Sequence, residues 1–228
     1  MQDADNLVAY YSSPRDFINF HDRNFVVSSF DQITLGALDL KIDGSYAKNS
    51  FSELFYFLTH FFRPSNVSEF GVLGCYSIIS MALGSKNYEN STEIIGYDLF
   101  EDYEYNSFAF LDAQMRVKEF GLHNLINFKK CNALAGNLIE NSLRTNDLSH
   151  IDLSNEGNLF ERVLSSDFKQ SSITILEGGS IDRDKNSWIN KYGAKEISPV
   201  IYSYAKKRPE LNISVINAFP SVQLFNLN

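Results

Sequence analysis

The chain has 228 residues, 44% hydrophobic and 21% charged, which is the make-up of an ordinary globular protein and excludes collagen-like, coiled-coil and disordered chains. Its 28 acids against 20 bases give a formal charge of −8, which argues against partners held by their phosphate backbones or by anionic membranes. Two cysteines, Cys75 and Cys131, are too few for a disulfide framework or a structural zinc site, and point to a reduced, cytoplasmic compartment. The start is acidic and polar, unlike a secretory signal. The longest apolar run, Phe51 to Phe62, is too short to span a bilayer and contains Glu53 and His60.

Residues 1–65 read as a helical extension or cap. Ser13 and Pro14 open one helix. Asn49 or Ser50 caps the next, and Pro64 stops it. The phenylalanines of this part read as core, as a cover over a cleft, or as the surface of a homo-oligomer. From residue 66 to 228 short apolar runs alternate with helical patterns. Strands are expected at 67–72, 92–99, 125–131, 148–154 and 171–179, with helices at 76–84, 106–122, 133–143 and 158–168. Pro220 and Ser221, between two further apolar runs, signal a hairpin. The alternation implies a Rossmann-like, doubly wound α/β sheet, mostly parallel, with an antiparallel hairpin at its C-terminal edge. In such sheets ligands bind beyond the carboxyl ends of the strands. The loops after Phe70, Asp98, Cys131, Asp152 and Glu177 are therefore the ones to inspect.

The first loop reads EFGVLGCYS, Glu69 to Ser77, and includes Gly71, Val72, Gly74 and Tyr76. Glycines at a strand-to-helix turn let a ligand approach the backbone, and the helix start offers free N–H groups. The second loop opens on Asp98 and Leu99. An acid at this distance past a glycine loop suits a ribose diol, two hydroxyl donors meeting one carboxylate. The alternative for each loop is a plain turn or cap. Asp102 and Glu104 read as solvated acids. The close glycine pair that a dinucleotide pyrophosphate needs is missing.

These segments resemble the class I S-adenosylmethionine-dependent methyltransferases. EFGVLGCYS and IIGYDLFED are most similar to the macrocin-type sugar O-methyltransferases, with loops of the form E-x-G-V-x-x-G-x-S and Y-G-F-D-x-F-E. SHIDLSNEG and ITILEGGS stand where that group has H-I-D-G-D and F-D-D. The resemblance covers about residues 66–180. It implies bound S-adenosylmethionine, with Glu69 and Gly71 beside its methionine part, Asp98 at the ribose, and Asn132 and Ala133 near the adenine. It implies methyl transfer to a hydroxyl or amine of a small acceptor: a sugar, sugar nucleotide or surface-glycan precursor. It also implies a divalent metal such as Mg, with Asp152 and Glu177 as ligands. Two departures weaken that site, since Ser154 and Gly178 stand where the pattern has Asp.

Asp152, at a strand tip, is the first candidate for the base. Glu177 is the second, and His150 the third unless it is simply packed. In the charged loop 177–188, Arg183 could pair with an anionic group of the acceptor and Trp188 could stack on its ring. A surface ion pair and a core anchor are the other readings of these two. Two further functions stay open. One is an NAD(P)-dependent oxidoreductase, for which Tyr202 and Lys206 have the Tyr-x-x-x-Lys spacing but lie near the chain end, beyond the fifth expected strand. The other is a non-catalytic nucleoside- or partner-binding relative with a degraded site.

Overall fold

The computed structural model describes residues 7–42, 44–86, 92–103, 108–185 and 193–227. In chain order the elements are β1 (Val8–Tyr11), α1 (Pro14–His21), α2 (Ser29–Lys41), α3 (Ser45–Lys48), α4 (Phe51–Phe62), β2 (Asn66–Phe70), α5 (Tyr76–Ser85), β3 (Glu93–Asp98), α6 (Phe110–Glu119), β4 (Ile126–Lys130), α7 (Leu138–Thr145), β5 (Leu148–Ile151), α8 (Gly157–Leu164), β6 (Ile173–Glu177), α9 (Ile181–Asp184), α10 (Ser198–Lys207), β7 (Leu211–Ile216) and β8 (Val222–Leu227). A single 3-10 turn, Phe100–Asp102, follows β3.

Eight strands form one sheet in the order β1-β7-β8-β6-β5-β2-β3-β4. Strands β2 to β6 pair in parallel, and β8 runs antiparallel to both β6 and β7. The mostly parallel sheet and its C-terminal hairpin are as the sequence implies. The edge is different. Residues 8–11, expected within a helical segment, form β1, which pairs in parallel with β7 and displaces the hairpin from the outermost place. The reason lies in the sheet: without β1, strand β7 would leave a row of backbone N–H and C=O groups unpaired.

Alternation along the strands divides the core in two. Val67, Ile94, Ile126 and Leu148 face α1, α2, α4, α5 and α6. Phe70, Tyr97, Ile151 and Leu176 face α7, α8 and α10. The first layer is tightest where α5 meets α4. A Cβ on Gly84 would lie 2.3 Å from the Tyr56 carbonyl oxygen, so only glycine permits this approach. Ser13 caps α1 through the Asp16 N–H, with Pro14 in the first turn. Phe17, Phe25, Phe51, Phe55 and Phe57 belong to the core, whereas Phe20 and Phe30 are exposed. Helix α7 starts later than its pattern implies. Residues 132–137 form turns instead, with the Asn132 side chain accepting the Leu134 N–H and Gly136 at φ +67°.

Candidate active site

A cleft of about 530 Å³ opens beyond the carboxyl ends of β2 to β6. Its floor is the loop from Gly71 to Gly74 with the first turn of α5. Asp98 and Leu99 form one side, Cys131 to Leu134 the next, and Asp152 to Ser154 with Glu177 the last. The segment around α3 closes it with Ile42, Tyr46 and Ala47. The walls are mainly apolar, and among the described residues no lysine, arginine or histidine lines them.

Parallel registration brings these tips together. The Gly71 N–H donates to the Tyr97 carbonyl at 2.9 Å, the Cys131 N–H to the Asp98 carbonyl at 2.9 Å, and the Asp152 N–H to the Phe70 carbonyl at 2.8 Å. Gly71 sits at φ +86°, and a Cβ there would fall 1.9 Å from the Asp152 carbonyl oxygen. This glycine thus serves the approach of the chain to itself, and it also lines the cleft. Gly74 has ordinary space, and its carbonyl accepts from Arg116 at 2.9 Å.

Asp98 lines the cleft but is largely committed within the chain. One carboxylate oxygen accepts the N–H groups of Val72 (2.6 Å) and Leu73 (3.1 Å), and the other accepts the Phe100 N–H (2.7 Å). A carboxylate has about four lone-pair sites. Three are used by the backbone, and the expectation of two oxygens open to a ribose diol is corrected to one remaining position.

Glu69 and His150 are cross-strand partners in register on β2 and β5. Both are fully buried, with Glu69 Oε1 3.1 Å from His150 Nδ1. The Ser77 hydroxyl donates to the same Oε1. Glu69 Oε2 and His150 Nε2 are buried with no hydrogen-bond partner among the described residues. The imidazole packs on Phe55, ring centroids 5.0 Å apart, and near Tyr46 at 6.3 Å. Neither Glu69 nor His150 lines the cleft. Two sequence expectations are thereby corrected: His150 is not placed to take a proton from an acceptor, and Glu69 stands behind the Gly71–Gly74 loop instead of facing the cleft. The reason is pleat parity, which turns residues 69 and 150 toward the α4–α5 layer.

Tyr76 and Ser77 do line the cleft. The Tyr76 hydroxyl accepts the Ser52 N–H at 3.0 Å and donates to Asp39 at 2.5 Å, tying the cleft floor to α2 and α4. Burial and then Asp39 push this phenol far above its ordinary value. Cys75 is buried, and its thiol is pushed up by burial first and by the Glu69 charge second. Leu99, Asn132 and Ala133 lie along the cleft as the sequence suggested.

Asp152, Ser154 and Glu177 share one wall, with Asn155 Nδ2 3.4 Å from Glu177 Oε2. The donor set does not fit a divalent metal. Among the described residues no group of three or more His, Cys, Asp or Glu side chains converges anywhere, and a hard cation needs several oxygens. The side chain of Arg183 and the whole of Trp188 lie outside the described residues. Sequence reasoning missed Ile42, Tyr46, Ala47, Tyr103 and Leu134, which also line the cleft. No motif marks them; only the tertiary path of α3 across the strand tips brings the first three there.

No protein-family model matches the sequence, and no curated protein matches it. Solved structures do. An O-methyltransferase from Bacillus cereus, in complex with SAH, superposes with a TM-score of 0.59 at 13% identity, over 95% of this chain and 98% of that one. A methyltransferase of Podospora anserina, SAH-bound, gives 0.57 at 14% over 94% and 95%. An O-methyltransferase of Streptomyces achromogenes involved in tomaymycin synthesis, in complex with SAM, gives 0.54 at 13% over 95% and 97%. At these identities the likeness shows a shared fold, the Rossmann-like α/β fold of these methyltransferases, over nearly the whole chain. No described helix is long and apolar enough to cross a membrane.

Proposed function

We propose that this chain is an S-adenosylmethionine-dependent methyltransferase that methylates a hydroxyl of a small acceptor. The observation that carries this reading is the bonding of Asp98. A dinucleotide fold seats its pyrophosphate at the helix start that follows the glycine loop, and the N–H groups of Val72 and Leu73 lie on the approach to it. Here they are spent on a carboxylate. A phosphate at this loop would meet a negative charge in place of free donors. A sulfonium nucleoside carries no phosphate and is compatible with that charge. A cleft of 530 Å³ also lies within the range of about 300–1,000 Å³ usual for small-molecule sites.

The likeness to structures crystallised with SAM or SAH supports the same reading, as do the four segments similar to the sugar O-methyltransferases. When bound, the cofactor supplies the methyl group as an activated sulfonium. Ser77 and the Asn132–Ala133 turn would contact it, with Asp98 offering its remaining acceptor position to the ribose. The acceptor would lie between Asp152, Glu177 and the α3 wall. Asp152, half-buried at the tip of β5, would take the acceptor's proton. The carbohydrate part of the reading rests on the segment resemblance. The apolar wall adds that the acceptor presents a nonpolar face, and the absence of cations among the described lining residues disfavours a sugar nucleotide.

The oxidoreductase alternative loses its catalytic pair. Tyr202 and Lys206 lie on α10, outside the cleft, and the Tyr202 hydroxyl is 2.6 Å from that of Tyr10 on β1. Calorimetry with S-adenosylhomocysteine and with NAD separates the two readings. Binding of the first alone is expected, and binding of NAD alone would overturn the proposal.

A further inference from the structure

Helix α2 carries two apolar stripes, where a helix on a protein surface needs one. Leu35 and Leu38 form the buried stripe and belong to the core. On the other side Phe30, Ile33, Ala37 and Leu40 follow one another at steps of three, four and three residues, the interval of a coiled-coil seam. All four face solvent, with Phe30 73% exposed, Ile33 75% and Leu40 91%. Together with exposed Val26 just before the helix they leave about 600 Å² of mainly apolar surface per chain, and two such faces reach the lower bound of about 1,200 Å² for specific interfaces.

Two further observations say what covers this face. The chain carries a net charge of −8 and would repel a copy of itself, yet no charge of α2 is free. Asp31 pairs with Lys86, Asp39 accepts from Tyr76 and Ser52, and Lys41 pairs with Glu119. The second observation is Gly36. Glycine inside a helix is less stable than alanine, and an added Cβ here would meet nothing within 4 Å, so no contact among the described residues calls for it. It lies beside the middle of the stripe, next to Ala37, where a second backbone can come close.

We propose that a second copy of this chain docks on the stripe, α2 against α2, as an antiparallel pair about a two-fold axis level with Leu35. The steps read the same in both directions, so one patch serves both copies and the contact closes on itself as a dimer. Ile33 then faces the partner's Ala37, large against small, and Phe30 faces the partner's Leu40. A membrane surface fits less well, since an interfacial helix is rich in lysine and arginine on its polar face and α2 has only Lys41, already paired. Helix α2 runs into Ile42 on the cleft wall, and its Asp39 holds Tyr76 on the cleft floor, so the pairing braces the cleft of each copy. The inference does not depend on the methyltransferase reading.

Sedimentation velocity from low micromolar to several hundred micromolar tests it. The mass of the wild-type protein should rise from that of one chain towards that of two. Ile33→Lys should raise the dissociation constant at least about tenfold, because it presses a lysine into the apolar seam. Ala37→Glu should weaken the dimer too, whereas both changes together set opposite charges across the antiparallel seam and should recover most of the loss. Gly36→Gln adds bulk at the crossing and is the better helix former, so it should weaken the dimer without lowering the unfolding temperature at low concentration, which separates a lost contact from a lost fold. A wild-type protein that stays a single chain at the highest concentration overturns the proposal, and its sedimentation with phosphatidylcholine vesicles would then assign the stripe to a lipid surface. A dimer indifferent to Ile33→Lys, or a double variant no tighter than its two singles, overturns it as well.

Discussion

The carboxylate of Asp98 accepts the backbone N–H of Val72 at 2.6 Å, across 26 residues of sequence. The tip of β3 thereby holds down the loop that follows β2, and the loop's donors are answered from within the chain. Asp98→Ala leaves the N–H groups of Val72, Leu73 and Phe100 without their acceptor in a largely buried place. The expected cost is about 3 kcal/mol of stability, with loss of S-adenosylhomocysteine binding. Urea unfolding and calorimetry check both. Asp98→Asn keeps the shape and one acceptor oxygen, so it should retain most of the fold yet still weaken binding. Full stability of Asp98→Ala would show that the loop does not depend on this carboxylate.

Gly71 is a second point of close contact. An alanine there meets the Asp152 carbonyl oxygen at 1.9 Å and must also hold φ near +86°. Backbone cannot yield as a flexible side chain can, so β2 and β5 would have to part. Gly71→Ala is expected to lose at least about 2 kcal/mol of stability, read by thermal or urea unfolding. Gly121→Ala is the control. Its φ of +71° is also positive, but nothing lies within 4 Å of its added methyl, so its cost should be smaller.

The strands and helices of the parallel half were legible because period-two and period-3.6 patterns alternate between clear stops such as Pro64 and Gly121. Strand β1 was not legible. Its four residues bury fully only Val8, too little alternation to reveal a strand. The cleft's chemistry was legible as residue types at strand ends, and Asp98, Asn132, Asp152 and Glu177 do reach one cavity. What the sequence could not supply was which face a strand residue takes and who its partner is. His150 was the third candidate for proton transfer, and the pleat of β5 turns it away from the cleft to meet Glu69. The α3 wall was hidden for another reason: four helical residues carry no period.

Asp31 on α2 links the N-terminal helices to α5 and gives a pH dependence. Burial alone would raise its carboxyl, but bonds from Lys86, Ser28 and Tyr56 outweigh that and hold it below its ordinary 3.8. A depressed carboxyl stabilises the fold above its unfolded-chain value, and the contribution fades as pH falls through the lower folded value. Lys86→Met should therefore destabilise the protein at pH 7 and raise the midpoint of acid unfolding. The gap between mutant and wild type should narrow once Asp31 is protonated in both. Urea titrations at pH 7 and pH 3 measure it, and a gap that does not narrow would place the effect outside this ion pair.

The two cysteines should differ in reactivity. Cys75 is fully buried behind the loop and its thiol is pushed far up, so iodoacetamide should leave it intact in the folded chain. Cys131 is half-buried, lines the cleft, and is raised chiefly by burial, so slow alkylation is expected there. Saturating S-adenosylhomocysteine should slow that modification further, as mass spectrometry would read. Equal labelling with and without the ligand would put the nucleoside away from the tip of β4.

Asp152 offers the sharpest division between binding and chemistry. Its backbone is fixed by the Phe70 carbonyl and by contact with Gly71, while its side chain belongs to the wall shared with Ser154 and Glu177. An amide at this place preserves size and the strand tip but cannot take a proton near neutrality. Asp152→Asn should bind S-adenosylhomocysteine as the wild type does. Conversion of S-adenosylmethionine, assayed with a panel of small hydroxylated acceptors that includes sugars and nonpolar ring compounds, should fall at least about a hundredfold for any acceptor the wild type uses. Glu177→Gln on the opposite side of the same wall sorts the roles. If the proton goes to Asp152, this second change should alter the acceptor's KM more than the turnover rate. A turnover rate that survives Asp152→Asn but collapses with Glu177→Gln would transfer the base to the tip of β6.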